Sequence, residues 1–412
     1  AAILVAMLKS PKAYHPIKKI KNNRRRASLI LRVMEGYSEE DIEKFSLSYK
    51  KPNSLGFKKP ARDRYLEDFI VSEVRQLKLK NGSYRLILTI DPIAQWQATN
   101  ILSNEIYKNR KKNVERGSLV SINENGAIKA LVGGQNYQKN SFNLATQAER
   151  PAASTFKIVT YLAALEKGFT AKTTVYDDLE KLTTDHKPKN YDNKYAGATS
   201  LENCFIKSKN VCTVDIASRL LQFEPLSDVA ARLRITNKPV EGINVILGTL
   251  DTTLVRNTAA FATIKNKGLY KSPILIRFIL NKYGQVSLMN RSVEDQVIKP
   301  FVTSEMSKLL EKVVSPDGTA ANAALLSGYK TYGKTGTSDD YKDAWFIGWS
   351  EHLITTGIWV GPPENETMLK VSGGSLPAKI FRRFNENMYE RYEFCTPDFT
   401  PQSSGYGRDV NC

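Results

Sequence analysis

Two strand hairpins on either side of a long helical stretch decide the fold class. Leu119–Ile122 and Ala127–Val132 alternate about a turn, and a second hairpin pattern covers Ala344–Trp349 and Leu353–Val360. Helical periodicity dominates from about 154 to 265, between the two hairpins. The sequence therefore predicts an α+β fold, in which helices flank an antiparallel sheet and a helical subdomain is inserted between its strands.

Composition places the chain among ordinary globular proteins. Its 412 residues suffice for about two or three domains, and 41% are hydrophobic and 25% charged. These values exclude disordered, collagen-like and disulfide-scaffold chains. No apolar run reaches the roughly 20 residues of a membrane-crossing helix, and no signal peptide is recognisable. The net charge of +18 predicts an anionic partner: nucleic acid, membrane headgroups or a phosphorylated substrate.

The densest positive charge lies near the start of the chain and runs into an amphipathic stretch at 27–34. The cluster comprises Lys18, Lys19, Lys21, Arg24, Arg25 and Arg26. Aromatic residues that would stack on bases are missing there, so nucleic acid is not the predicted partner. Two interpretations stay open: a solvated helix face, or a surface that faces anionic lipid or a lipid pyrophosphate.

The four cysteines form two local pairs, without a C-x-x-C motif that would predict zinc. The pairs are Cys204 with Cys212 and Cys395 with Cys412, either as disulfides of an extracytoplasmic protein or as free thiols. We favour a bond in the tail, between Cys395 and Cys412. Both segments around Cys204 and Cys212 look helical, which would hold the two Cα atoms beyond the roughly 7 Å disulfide limit.

Three short motifs carry the candidate chemistry: Ser154-Thr-Phe-Lys157, Ser208-Lys-Asn210 and Lys334-Thr-Gly-Thr337. A serine hydroxyl needs an adjacent base to act as a nucleophile, and no histidine lies beside a motif. If Ser154 opens a helix, Lys157 lies one turn later on the same face, within reach of the hydroxyl. The helix N-terminus would favour an oxyanion beside Ser154. Burial and the Lys334 cation would lower the pKa of Lys157 and let it accept a proton.

The second motif follows a helical segment, in a loop that would face Ser154. There the Ser208 hydroxyl would carry a proton between Lys157 and a leaving amine, with Asn210 beside it. The structural alternative is that Ser208 and Asn210 only terminate the helix.

The third motif would lie on an edge strand of the sheet. Gly336 would let a substrate backbone approach and pair with that strand. The hydroxyls of Thr335 and Thr337 would bind a substrate carboxylate.

Together and in this order, the motifs resemble the signature of the active-site serine penicillin-binding proteins and serine β-lactamases. Residues 86–381 resemble the transpeptidase domain of class A, bifunctional penicillin-binding proteins, through stretches at 88–92, 130–134, 142–147, 247–249, 337–346 and 373–374. The resemblance implies a glycosyltransferase-domain remnant at 1–46, an interdomain linker at 47–85, a D,D-transpeptidase domain at 86–388 and a tail at 389–412.

The resemblance also implies a role for each motif residue. Ser154 would be the acylated nucleophile and Lys157 its general base, with the oxyanion bound by the backbone N–H groups of Ser154 and Thr337. Ser208 and Asn210 would form the second motif, and Lys334 with Thr335, Gly336 and Thr337 the third.

The implied reaction cross-links peptidoglycan stem peptides through a serine acyl-enzyme, without metal or organic cofactor, at the extracytoplasmic (periplasmic) face of the bacterial inner membrane. The implied partners are stem peptides, the lipid-linked precursor, β-lactam antibiotics, an anionic membrane surface and cell-wall synthesis proteins.

Two departures from the family pattern qualify that prediction. Pro151-Ala-Ala153 precede the serine, where the family usually has Pro-Gly, which leaves the local backbone geometry open. The part of the glycosyltransferase domain with its catalytic glutamate is not in the sequence, nor is the preceding membrane anchor. We therefore expect that this polypeptide alone does not polymerise lipid-linked disaccharide.

Two other functions stay open at this stage. A β-lactamase needs a group that activates water, and Glu224-Pro-Leu-Ser227 superficially resembles the Glu-x-x-Leu-Asn of class A β-lactamases. Its leucine comes one residue early and no asparagine follows, so we interpret Glu224 as a loop residue. A non-catalytic penicillin-recognising sensor or scaffold would carry the same three motifs.

Overall fold

The computed structural model describes most of the chain in two compact units, 1–63 and 64–412. The described residues are 5, 6, 8–10, 12–15, 19–34, 38–48, 63–185, 187–236, 238–240, 242–326, 328–364 and 366–395.

The α-helices are numbered in chain order. They are α1 (Ile20–Val33), α2 (Glu39–Ser48), α3 (Arg64–Gln76), α4 (Pro92–Lys108), α5 (Lys157–Glu166), α6 (Leu201–Ile206), α7 (Val211–Asp215), α8 (Leu226–Arg232), α9 (Leu254–Lys265), α10 (Pro300–Val313) and α11 (Leu376–Cys395). Short 3-10 or π turns lie at Arg110–Lys112, Ala153–Phe156, Ile216–Leu220, Val245–Thr249, Ala321–Ala323 and Asp339–Tyr341.

The strands are numbered in the same way. They are β1 (Arg85–Leu88), β2 (Arg116–Ile122), β3 (Ile128–Val132), β4 (Arg150–Pro151), β5 (Thr174–Asp177), β6 (Gly197–Ser200), β7 (Asp251–Thr252), β8 (Leu269–Lys271), β9 (Ile276–Leu280), β10 (Val286–Met289), β11 (Glu294–Gln296), β12 (Thr331–Thr337), β13 (Ala344–Ser350) and β14 (Thr355–Gly361).

A five-stranded antiparallel sheet forms the centre of the larger unit. Its strand order is β12-β13-β14-β2-β3, so both predicted hairpins lie in one sheet although more than 200 residues separate them in sequence. Strand β12 pairs with β13 in continuous register, from Thr331 opposite Ser350 to Thr337 opposite Ala344. The third motif therefore lies on an edge strand, as the sequence predicts.

Helices cover both faces of this sheet. Every residue of β13 and β14 is buried, and α9, α11 and α4 pack against the sheet strands. Helix α4 begins as predicted, because the Asp91 side chain accepts hydrogen bonds from the N–H groups of Ile93 and Ala94. The α+β prediction is confirmed.

Helix α5 is almost fully enclosed. All its residues except Glu166 are buried, and it packs against α10 and α8. Since the core surrounds α5 on every side, the turn that leads into it is held in a fixed position.

The turn at Asn81-Gly82 and the stretch after it predict a strand over Tyr84–Ile90, and the observed strand is shorter. It covers Arg85–Leu88 and pairs with β9, in a separate three-stranded sheet of order β1-β9-β10. Short alternating segments carry no information about their partner, so this pairing was not predictable from the local pattern.

The first unit contains the two predicted helices of the N-terminal region. Helix α1 buries Asn23, Ala27 and Leu31. Ser38 caps α2, since its hydroxyl accepts from the Asp41 N–H (3.2 Å) while the Asp41 carboxylate accepts from the Ser38 N–H (3.0 Å). The domain boundaries themselves stay a prediction. Among the described residues, no helix combines the length and apolar character needed to span a bilayer.

Candidate active site

All three motifs meet at one cleft of about 1000 Å³ in the larger unit. It is lined by Ser154, Ser208, Asn210, Thr335 and Thr337, together with residues of the 187–191, 244–249, 338–343 and 372–374 segments. Lys157 and Lys334 are fully buried, at 0% exposure, and their amines contact the second motif. Segments far apart in sequence thus form one site.

Ser154 lies in the 3-10 turn that precedes α5. The turn is held from behind, because the Thr155 hydroxyl donates to the Ala152 carbonyl (2.5 Å) and accepts from Asn257 Nδ2 (2.8 Å). Strand β4, just before the turn, pairs with β7. The serine is therefore presented to the cleft by a rigid support.

The departure at Ala153 has a structural consequence. Ala153 has φ +49°, in the left-handed region that glycine adopts at little cost. Ala153 thus takes a backbone conformation in which a glycine would be unstrained. Gly248 accommodates this turn, since a Cβ at Gly248 would lie 1.9 Å from the Ala153 carbonyl oxygen.

The second motif forms the tight turn between α6 and α7, where Ser208 has φ +54°. The Asn210 carboxamide is fixed on both sides, because its Nδ2 donates to the Lys189 carbonyl (2.8 Å) while its Oδ1 accepts from Lys157 Nζ (2.7 Å). Ser208 and Asn210 therefore do more than terminate a helix.

The Lys157 amine is directed at the second motif. It donates to the carbonyls of Ser208 (2.7 Å) and Lys209 (3.1 Å) and to Asn210 Oδ1. Burial, and then the neighbouring Lys334 charge, hold the pKa of Lys157 well below its usual range, while Asp177 opposes both. No hydrogen bond joins Lys157 to Ser154 within the described residues; such contacts often form only when a substrate is bound.

Lys334 approaches the same turn from the edge strand. Its Nζ donates to Ser208 Oγ (2.7 Å) and to the Thr335 carbonyl (3.3 Å). Burial lowers the pKa of Lys334 to about 7. The Ser208 residue therefore links the two buried lysine amines, through its carbonyl to Lys157 and through its hydroxyl to Lys334.

The threonines of the third motif contact neighbouring segments of the cleft wall. Thr335 Oγ1 is 2.9 Å from Thr319 Oγ1, and Thr337 Oγ1 accepts from the Gly373 N–H at 3.0 Å. Both threonines line the cleft, as the sequence predicts.

Gly336 also has a packing role that the sequence did not predict. A Cβ at Gly336 would lie 3.0 Å from the Ala152 carbonyl oxygen and 3.0 Å from Thr155 Cγ2. The glycine therefore lets β12 pack closely on the turn that carries Ser154. Access for a substrate backbone at Gly336 stays a prediction.

Sequence reasoning did not identify several residues of the site. Asp177 and Asn190 lie behind the second motif, and the hydroxyls of Tyr191 and Tyr341, both cleft-lining residues, hydrogen-bond to each other. None belongs to the three motifs, although Tyr341 lies in the 337–346 stretch that resembles the family. No local signal marks Asp177, Asn190 or Tyr191.

One of the two predicted local cysteine pairs lies within the described residues, and the structure contains its bond, although the sequence favoured the tail pair. Cys204 and Cys212 form a disulfide, with their Cα atoms 6.2 Å apart. Both lie on helices, as predicted, but the tight turn at Ser208 brings the two helices within bonding distance. The Cys395–Cys412 pair lies outside the described residues, because Cys412 is not among them.

Loss of this disulfide is expected to destabilise the larger unit. The bond closes a loop with a sequence separation of 8, and the corresponding chain-entropy effect is about 2–3 kcal/mol. Urea unfolding with and without reductant measures it, and the double variant Cys204→Ser/Cys212→Ser serves as the control that reductant should not affect. Titration of four free thiols in the unfolded, unreduced protein would contradict the bond.

Other candidate chemistry is not supported at this site. Among the described residues, no group of three or more His, Cys, Asp or Glu side chains could hold a metal ion. Glu224 is not part of the cleft lining; its carboxylate pairs with Lys167 at 3.4 Å, and its side chain is 79% exposed. Its interpretation as a loop residue agrees with this position.

Comparison with known proteins identifies the family. The model of the penicillin binding protein transpeptidase domain matches residues 117–386. Penicillin-binding protein 1A of Aquifex aeolicus (strain VF5) is 36% identical over 293 residues, which cover 68% of this chain and 39% of that protein. This chain therefore spans well under half the length of that relative.

Solved structures show the same fold. The PonA1 protein from Mycobacterium tuberculosis in complex with penicillin V has a TM-score of 0.68 at 23% identity, covering 83% of this chain and 96% of that one. Penicillin-Binding Protein 1A from Haemophilus influenzae has a TM-score of 0.71 at 19% identity, covering 98% and 81%. The chain belongs to the penicillin-binding protein transpeptidase family and corresponds to the transpeptidase region of a class A member.

Proposed function

We propose that this chain is a serine D,D-transpeptidase that cross-links peptidoglycan stem peptides. One observation carries the proposal: Ser154 and Ser208 line one cleft, and Ser208 contacts the amines of two buried lysines with lowered pKa values, Lys157 and Lys334. Buried amines of this kind are neutral more readily at physiological pH, which a general base requires.

In the first half of the reaction, Ser154 Oγ attacks the carbonyl carbon of the penultimate D-Ala. The hydroxyl proton passes to the neutral amine of Lys157 as the new C–O bond forms. The C–N bond to the terminal D-Ala then breaks, and the Ser208 hydroxyl relays the proton held by Lys157 to the departing amine, which returns Lys157 to its neutral form. The product of this half-reaction is an ester between the peptide and Ser154.

In the second half, an amine from a neighbouring stem peptide attacks that ester. The amine loses a proton, Ser154 Oγ regains one, and the new amide bond is the cross-link. Attack by water instead would give the D,D-carboxypeptidase side activity.

Substrate binding is proposed for the third motif. Thr335 and Thr337 line the cleft, and their hydroxyls are suited to hydrogen-bond the terminal carboxylate of the stem peptide. A β-lactam presents a carboxylate and a strained amide in a similar arrangement. The solved complex of PonA1 with penicillin V supports β-lactam binding at this cleft.

The proposal is tested by comparing the turnover of penicillin with the turnover of a stem-peptide mimic. Labelled penicillin should attach covalently and be released slowly, while a stem-peptide mimic with an acceptor amine should turn over. Fast penicillin release would favour the β-lactamase alternative. Acylation by penicillin without any turnover of the mimic would favour a non-catalytic sensor.

An extracytoplasmic location is part of the proposal. The Cys204–Cys212 disulfide supports it, since such bonds persist mainly in oxidising compartments. The lipid-linked precursor, an anionic membrane surface near the Lys18–Arg26 cluster and cell-wall synthesis proteins stay proposed partners.

A further inference from the structure

A fully bonded carboxamide stands directly behind the second motif. Asn190 Oδ1 accepts from the N–H groups of Asn210 (2.8 Å) and Val211 (3.2 Å). Asn190 Nδ2 donates to Asp177 Oδ1 (2.7 Å) and to the Lys194 carbonyl (2.8 Å). All four hydrogen-bonding positions of the amide are used, and the residue is only 2% exposed. Asn190 therefore has one orientation, which fixes the backbone at Asn210.

Asp177 is the buried anion to which this carboxamide connects. It ends β5 at 0% exposure, and its second carboxylate oxygen accepts from the Ala196 N–H at 2.9 Å. Lys209 Nζ lies 3.9 Å away, but it binds Asp192 more closely, at 2.9 Å. A buried charge is costly unless other charges and hydrogen bonds compensate for it.

Beyond its 3.9 Å ion pair with Lys209, Asp177 also acts by its charge on the buried amine of the proposed catalytic Lys157. Lys334 on β12 and Asp177 on β5 are the two groups whose charge acts on Lys157. Lys209 in the second motif is paired with Asp192. Tyr161 lies one turn after Lys157 on α5, and burial raises its pKa, so it stays neutral and adds no charge. The carboxylate thus opposes the repulsion between the two buried amines.

We propose that Asp177, through Asn190, is a positioning residue for acylation: it holds the second motif against Lys157 and keeps that amine able to take up the serine proton. This inference rests on the proposed function. A general base must be unprotonated before the reaction and must bind the proton strongly during it. The negative charge of Asp177 stabilises the protonated amine of Lys157.

The substitution Asp177→Asn separates this role from simple structural support. It preserves the shape of the side chain but removes the charge, so the pKa of Lys157 should fall further. In the pH–rate profile of acylation, the rise in rate at low pH (the acid limb) should then move to lower pH, by on the order of one unit. The rate on the high-pH plateau should also fall. The amide nitrogen introduced at position 177 cannot accept a hydrogen bond from the Ala196 N–H, as Asp177 Oδ2 does. A purely structural loss would lower the rate without moving the limb.

The measurement is the rate constant for acylation of Ser154 by labelled penicillin V between about pH 5 and 10. Asp178→Asn is the matched control, since that neighbouring carboxylate is only part-buried and accepts from the Glu180 N–H (2.9 Å). We expect an unchanged limb for Asp178→Asn. An unchanged limb in folded Asp177→Asn would overturn the proposal.

Asn190→Ser provides a second test if Asp177→Asn does not fold. It keeps the charge but cannot bridge Asp177 and Asn210 together, so the plateau should fall about 10–100-fold with the acid limb in place. A wild-type plateau in this variant would contradict the positioning role. If the wild-type chain itself fails to label at Ser154, the proposed function is at fault rather than this inference.

Discussion

The substitution Ser154→Ala is expected to abolish covalent labelling by penicillin. The only nucleophile proposed for the reaction is then missing, and the two buried lysine amines have no hydroxyl to deprotonate. The free energy of unfolding should change little, by at most about 0.5–2 kcal/mol, the range measured for removal of a helix-capping hydroxyl. Mass spectrometry of the labelled protein, with urea unfolding of the same samples, measures both effects.

Ser218→Ala is a useful control for this experiment. Its hydroxyl donates to the Val214 carbonyl at 2.8 Å within the helical region, and it is not part of the cleft lining. This variant should label at the wild-type rate. Recovery of an adduct on any serine other than Ser154 would refute the assignment of the nucleophile.

The substitution Lys157→Met is expected to lower the acylation rate by about 10²–10⁴-fold, the usual contribution of a general base. Methionine fills much of the same buried volume, which limits the cavity that alanine would leave. The protein should still be destabilised, because Asn210 Oδ1 and the Ser208 carbonyl lose a donor. The rate should be measured with saturating penicillin, so that binding and chemistry are separated.

Lys167→Met is the matched control, because Lys167 follows the same helix but is half-exposed and pairs only with Glu224. Its acylation rate should equal that of the wild type. If Lys157→Met acylates as fast as Lys167→Met, then another group takes the serine proton, and the serine–lysine mechanism is wrong for this chain.

The sequence predicted the parts of the site that are local. Alternation and turns identified both hairpins, and the spacing from Ser154 to Lys157 placed the lysine on the helix that follows the serine. That helix begins at Lys157 rather than at Ser154, which lies in the preceding 3-10 turn. Each of these depends on residues close together in the chain, where periodicity and capping act.

What the sequence did not predict depends on contacts between distant segments. Asn190 reads as a loop asparagine, and only the fold brings it against Asn210 and Asp177. The Cys204–Cys212 bond depends on the left-handed backbone at Ser208, which no propensity scale assigns to serine. The packing reason for Gly336 likewise requires the Ala152 carbonyl to be in place.

The position of Gly373 against β12 has a consequence for how the protein behaves in solution. A Cβ at Gly373 would lie 2.6 Å from the Gly336 carbonyl oxygen, so this segment shields the motif end of the edge strand. An uncovered strand edge can recruit a strand from another molecule and so begin aggregation. By covering part of that edge, the 372–374 segment leaves less of β12 open to pairing with a strand of another molecule.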